Sequence, residues 1–238
     1  RIVAGMAAGR ATTVKAVVRA KAGVPGRAKT RLIPAIGADA AAGVHDAMLA
    51  CVVRRLERWW AGPRVLAMTG EGWEPAAAGL VGDREGWAVV DQGDGDLGAR
   101  LERVWRGEAV GGAAVAFFGV DSPDVPAEAL AAMPGALAGA DAAVGPVGDG
   151  GYWTLLAAEA RRGAALLERI DWGSERVHRQ THDRAAAAGL RCVDLPAWHD
   201  VDDIDDLTAM RRRLLAATEP GLVELRAALD KRLGALRP

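Results

Sequence analysis

The sequence predicts an α/β protein whose mostly parallel central sheet is covered by helices on both faces. Three observations predict it. Apolar runs of strand length alternate with longer amphipathic stretches along the chain. Several strand runs are apolar at every position rather than every second one, as in strands buried on both faces. Gly, Pro, Asp and Ser cluster at the changes from one element to the next.

Val14 to Val18 is the first β-favouring run, followed by a loop rich in Gly, Pro and Lys up to Gly37. Ala38 to Trp60 places Val44, Met48, Cys51, Val52, Leu56 and Trp59 on one stripe and reads as a long helix. Arg64 to Met68 and Trp87 to Val90 are strands, and Leu97 to Trp105 is a short amphipathic helix. Ala113 to Gly119 is the most apolar strand, bounded by Gly-Gly and Asp-Ser-Pro. Pro126 starts a helix to about Leu137, Ala140 to Val144 is a fifth strand, and Tyr152 to Leu156 follows the turn at Gly148 to Gly151. Ser174 is a suitable N-cap for a helix reaching Ala188, and Arg191 to Leu195 is the last strand. Helices from Ile204 to about Ala217 and from Leu222 to Leu236 close the chain.

Composition narrows the function. The 238 residues carry 30 Lys plus Arg against 31 Asp plus Glu, a formal net charge of −1. A polyanion binder carries a basic excess, so nucleic acid is not expected as a partner. Half the residues are hydrophobic, yet no uncharged run is long enough to span a bilayer. Cys51 and Cys192 stand far apart, which excludes a disulfide scaffold and a thiolate zinc cluster and fits a reducing cytoplasm. Residues 1–13 lack an apolar signal-peptide core and read as a poorly ordered tail. No repeat or linker divides the rest, so 14–217 is expected to be one domain. The stripe of Leu222, Leu225, Leu229, Leu233 and Leu236 then packs on that domain, or completes a homodimer.

In such sheets ligands bind beyond the carboxyl ends of the strands, and four loops there hold unusual chemistry. The first, Lys21 to Leu32, combines Gly23 and Gly26 with Lys21, Arg27, Lys29 and Arg31. Glycine admits close anion approach and the cations offset phosphate charge. It is not a Walker A loop, because Ala28 stands where that motif needs Gly. The second, Asp91 to Gly98, offers the Gln92 amide to a nucleobase edge, with Asp96 as a helix cap. The third places Asp121 directly after the most apolar strand, where a carboxylate can hold Mg²⁺ or Mn²⁺ beside a diphosphate. Asp124 in the same loop is also placed to cap the next helix. The fourth, His199 to Asp206, has Asp203, Asp205 and Asp206 as helix-start charge and leaves Asp200 and Asp202 to reach a metal. His178 and His182 are spaced i, i+4 like a metal pair. No HExxH glutamate accompanies them and the sequence offers no evident third ligand, so a solvated helix surface is the simpler reading.

Taken in order, KAGVPGRAKTRL, QGDGDLGARL, GVDSPDVP with GPVGDGGYW, and IDWGS followed by DVDDIDDL resemble the DUF2064 family, also called radical-SAM/selenodomain-associated transferase 1 or arsenosugar-biosynthesis glycosyltransferase. The resemblance spans about Val14 to Met210. It implies a GT-A, nucleotide-diphospho-sugar transferase fold, a Rossmann-like three-layer sandwich, distantly similar to the guanylyltransferase of coenzyme F420 biosynthesis. It further implies Asp121 as the metal-binding acid, with Asp202 or Asp200 as the second ligand. Lys21, Gly26, Lys29 and Arg31 fall in the phosphate-contacting loop, and Gln92 with Gly98 in the segment that meets the base. Asp149, Gly150, Gly151 and Tyr152 fall where the sugar or acceptor sits. Two departures are visible: Gly23 replaces the usual Pro of Lys-x-Pro, and Asp203 stands where Thr is common.

The expected activity is transfer of a sugar from a nucleotide-diphospho-sugar to a small-molecule acceptor, with Mg²⁺ or Mn²⁺ as cofactor. Lys21, Lys29 and Arg31 would stabilise the leaving group, and Asp149 or Asp124 would serve as general base. Nucleotidyl transfer from an NTP to a phosphorylated acceptor is the enzymatic alternative. A non-catalytic nucleotide-binding scaffold is the alternative of another class.

Overall fold

The structure, a computed structural model, describes residues 13–234. The tail expected over residues 1–13 thus lies outside the described residues except for Thr13, as does Leu236. The chain runs through β1 (Val14–Arg19), a 3₁₀ turn (Thr30–Leu32), α1 (Ile33–Ile36), α2 (Ala38–Trp59), β2 (Arg64–Met68), α3 (Trp73–Val81) and β3 (Trp87–Asp91). It continues through α4 (Leu97–Glu108), β4 (Ala114–Phe118), α5 (Ala127–Ala136), β5 (Ala142–Pro146), β6 (Tyr152–Ala157) and α6 (Ala160–Gly163), which leads into a second 3₁₀ turn (Ala164–Leu167). The last elements are α7 (Val177–Ala187), β7 (Cys192–Asp194), α8 (Ile204–Leu214) and α9 (Pro220–Leu233).

One seven-stranded sheet, ordered β3-β2-β1-β4-β6-β5-β7, separates two apolar cores. Successive residues of β4 point to opposite sides: Ala114, Ala116 and Phe118 enter one core, Val115 and Phe117 the other. Each core has an aromatic pair meeting edge to face, Trp60 with Phe118 at 5.4 Å and Trp105 with Phe117 at 4.8 Å. α2, α3, α5, α8 and α9 cover the first side; α4, α6 and α7 cover the second. α9 buries Leu225, Leu229 and Leu233 on the domain itself, close to α2, and Arg54 reaches Glu224 at 2.5 Å. Leu222 of the same stripe is partly buried against the core on that side.

Three details depart from the pattern read in the sequence. β3 is half open to solvent, with Val89 exposed, because it lies at the sheet edge. α3 was not foreseen: Pro75, Gly79 and three alanines give it little apolar periodicity. α7 begins at Val177, with Arg176 rather than Ser174 as its N-cap. In the acidic segment, by contrast, Asp203 is the N-cap of α8 and forms a reciprocal box with Asp206, as expected of helix-start charge.

Two features of the topology position the site. The chain passes from β1 outward through β2 to β3, then returns to add β4 on the other side of β1. The carboxyl ends of β1 and β4 therefore flank a crevice at the point where strand order reverses. β6 runs antiparallel to both β4 and β5, so its first residue, Tyr152, lies at the same edge as the ends of its neighbours. The connection from Pro146 to Tyr152 is too short for a crossover helix, which forces this direction.

Candidate active site

Two adjoining hollows open along the carboxyl edge of the sheet. The larger, about 520 Å³, is lined by Arg19, Lys21, Lys29, Arg31 and Arg100, with His45, Gln92, Asp121 and Asp202. The smaller, about 260 Å³, is lined by Asp149, Gly151, Tyr152, Trp172, Ser174 and Asp200. Arg19, Asp121 and Asp202 border both.

The two acidic loops are tied together through Val201. Its N–H donates to the Asp121 carbonyl at 2.9 Å, and its own carbonyl accepts the Lys29 ammonium. The same ammonium is ion-paired with Asp121 Oδ1 and lies 3.8 Å from Asp202 Oδ1. Arg31 Nη1 reaches Asp202 Oδ2 at 3.1 Å. Lys29 holds a left-handed backbone, φ 45° and ψ 49°, which a residue with a Cβ adopts at a cost of order 1–3 kcal/mol. The strain turns a nearly buried side chain, 7% exposed, under the mouth of the larger hollow.

The charges are partitioned. Burial pushes Asp121 up, but the hydrogen-bonded Lys29 ammonium, with His45 and Arg19 beyond it, outweighs this and holds the carboxyl below its usual range. On the far side the balance reverses. Burial and the neighbouring Asp149 push Asp200 up to about 6, and burial raises Asp202 despite Lys29 and Arg31. Carboxylate oxygens of Asp149, Asp200 and Asp202 lie within 4.8 Å of one another. Three crowded hard oxygen donors suit a divalent cation such as Mg²⁺ or Mn²⁺. This grouping holds the expected Asp200 and Asp202 together with Asp149, while Asp121 is ion-paired with Lys29.

Lys21, Lys29 and Arg31 thus reach the larger hollow as the sequence suggests, and Asp149, Gly151 and Tyr152 reach the smaller. Five residues behave differently. The Gln92 amide is buried and its Nε2 donates to the carbonyls of Ala20 and Ala67, both at 2.8 Å, so its donors brace β1 and β2 rather than await a base. Asp124 lines neither hollow: its carboxylate accepts from Arg213 Nε at 2.6 Å and Trp198 Nε1 at 3.1 Å, and does not cap α5. Gly26 shapes the turn with φ +80° and lines no hollow. Gly150, at φ +86°, packs so tightly that a Cβ there would lie 2.0 Å from the Glu175 carbonyl oxygen. Gly98 lets the Trp172 indole approach α4, since a Cβ would meet its Nε1 at 2.8 Å.

Sequence reasoning passed over Arg19, His45, Arg100 and Trp172. A signal existed for Arg19, a charge closing an apolar strand two residues before Lys21. Its Nε is buried without a hydrogen-bond partner, an unmet donor at the border of the two hollows. His45 is buried on α2, where its Nε2 lies 2.9 Å from the Lys21 carbonyl, and burial lowers its pKa.

The crevice lies at the switch point of an open α/β sheet, where such folds bind their ligands. A solved structure from Desulfovibrio desulfuricans G20, provisionally assigned as a nucleotide-diphospho-sugar transferase, superposes with a TM-score of 0.80 at 24% identity, over 93% of this chain and 98% of that one. A cytidylyltransferase from Leptospira borgpetersenii gives 0.54 at 16% identity over 92% and 94%. A nucleotidyl transferase from Methanothermobacter thermautotroptrophicus gives 0.55 at 19% over 85% and 98%. The family model described as DUF2064, uncharacterized protein conserved in bacteria, matches residues 52–174, more than half of the 238, and the chain belongs to that family. A comparison with curated proteins finds no match.

Proposed function

We propose that this chain is a transferase acting on an activated nucleotide, passing a sugar from a nucleotide-diphospho-sugar to a small-molecule acceptor. One observation carries the reading: a cation-walled hollow and an acid-walled hollow adjoin, and Arg19, Asp121 and Asp202 border both. A diphosphate needs the first wall, and an acceptor approaching a reacting centre needs the second within reach of it.

Lys21, Lys29, Arg31 and Arg100 bind the diphosphate, and the unmet Arg19 Nε donates to the oxygen nearest the border. Their fixed charges oppose the negative charge that develops on the leaving nucleotide. Asp149, Asp200 and Asp202 would hold Mg²⁺ or Mn²⁺, which when bound would supply Lewis-acid neutralisation of the diphosphate. Asp121 keeps Lys29 in place and closes the divide. The acceptor lies against Tyr152 and Trp172, whose rings meet edge to face at 6.3 Å, beside the Asp149 carboxylate that the Gly151 N–H orients at 2.8 Å.

The neighbours named as cytidylyl- and nucleotidyl transferases favour a second reading, in which an NTP gives up pyrophosphate to a phosphorylated acceptor. Product analysis separates the two. Purified protein is incubated with Mg²⁺, a panel of NDP-sugars and a panel of NTPs, and free NDP and pyrophosphate are assayed. Release of NDP is the expected result; pyrophosphate appearing only with a phosphorylated acceptor would replace glycosyl by nucleotidyl transfer. Asp121→Asn is expected to lower kcat/KM about 100- to 1,000-fold, and turnover unchanged in this variant and in EDTA would remove the proposal.

A further inference from the structure

We propose that His178, His182 and Asp194 form a second metal site, for a transition-metal ion of the Zn²⁺ type, at the β7 edge of the sheet and outside the lining of the two hollows. The third ligand that the sequence did not reveal comes from a different element. α7 places both imidazoles on one face, and β7 brings up Asp194, whose Oδ1 lies 2.9 Å from His178 Nε2 and 2.7 Å from His182 Nε2. The candidate ligand atoms lie within 4.8 Å of one another. Tetrahedral Zn²⁺ with bonds of about 2.0–2.1 Å sets neighbouring ligand atoms about 3.3 Å apart. Small ring rotations and a slight opening of the trio would seat the ion.

The donor set distinguishes this site from the acidic one. Two imidazoles and one carboxylate select zinc and its neighbours, whereas Mg²⁺ takes oxygen. The two rings meet at 4.8 Å and the three side chains are 27%, 32% and 48% exposed, so an ion can enter and a water can complete four-coordination.

The position suggests what such an ion does. Among the described residues, β7 is a three-residue edge strand paired only with β5. The segment after it carries Asp200 and Asp202. At the other end of the clamp, Val177 lines the smaller hollow, and the His178 N–H donates to the Gly150 carbonyl at 2.8 Å. An ion across α7 and β7 therefore braces, from outside, the two segments that bring Asp149 and Asp200 together. His178, His182 and Asp194 are positioning residues in this arrangement, since none touches either hollow.

The test uses the full chain without a polyhistidine tag, in excess Mg²⁺ to keep the oxygen site filled. Co²⁺ titration should give visible ligand-field bands at one equivalent, reversed by Zn²⁺. Zn²⁺ at about a hundred times its Kd should raise Tm by about 5–10 °C. His182→Ala should weaken Zn²⁺ binding by at least about tenfold. Asp194→Asn, which keeps the side chain's size, should do the same and carries the test if His182→Ala does not fold. Zn²⁺ affinity unchanged in the folded variants, or no Zn²⁺ retained by the wild type, would overturn the proposal.

Discussion

Two buried cations in this molecule meet carboxylates in opposite ways. Arg55, on α2, is saturated: Nε and Nη2 form a fork with Glu219 at 2.8 and 2.9 Å, and Nη1 donates to the Pro123 carbonyl at 2.8 Å. Glu219 also accepts from Trp59 at 3.0 Å, so donors and acceptors close on themselves. Lys29 is nearly as buried, but its partners Asp121 and Asp202 keep open faces, with side chains 51% and 36% exposed. The first arrangement joins α9 to α2 and leaves nothing for a ligand. The second leaves charge facing a cavity. Similar residue types thus close on each other in one place and face an open hollow in the other, and what separates them is how many of their hydrogen-bonding positions the protein itself fills.

This contrast can be broken from either side. Arg55→Met leaves Glu219 buried without its cation, and is expected to cost about 3–5 kcal/mol in denaturant unfolding while kcat/KM per folded molecule stays unchanged. Lys29→Met is expected to do the reverse, lowering kcat/KM about 100- to 1,000-fold with Tm within a few degrees of wild type. If Lys29→Met destabilised the fold as much as Arg55→Met, the open arrangement would be structural too.

The smallest effect concerns pH. Burial raises Glu219, but its hydrogen bonds and ion pair with Arg55 outweigh that and hold it below its ordinary value of 4.5. A depressed carboxyl contributes stability that is complete above its unfolded pKa and is lost as pH falls through its folded pKa. The stability gap between wild type and Glu219→Gln should therefore be constant near pH 7 and shrink on acidification below about 4.5. A gap that widened on acidification would contradict the closed ion pair.

The order of elements was legible because strands buried on both faces spell themselves out as unbroken apolar runs, Ala114 to Phe118 above all. The direction of β6 was readable in principle from the short connection after Pro146, and it decides which loops share the site. Residue type alone did not reveal where a side chain turns. Gln92 and Asp124 sit in the right loops, yet one points back to brace two strands and the other pairs with Arg213 from α8, 89 residues away in the chain. Asp149, Asp200 and Asp202 converge because a reversed strand and the segment after an edge strand meet, a tertiary event with no local signal. For the same reason His178 and His182 read as a surface pair until β7 supplied Asp194.

The reversed strand also has an evolutionary consequence. It segregates the crevice by stretch of polypeptide: most of the basic wall comes from residues before Asp121, and the acceptor wall from residues after Val147. On the proposed function, substitutions in the hairpin around Asp149 that keep Asp149 itself would retune the acceptor while the basic wall stays unchanged. A chimera exchanging that hairpin with a relative's would inherit the relative's acceptor taste on an unaltered chassis.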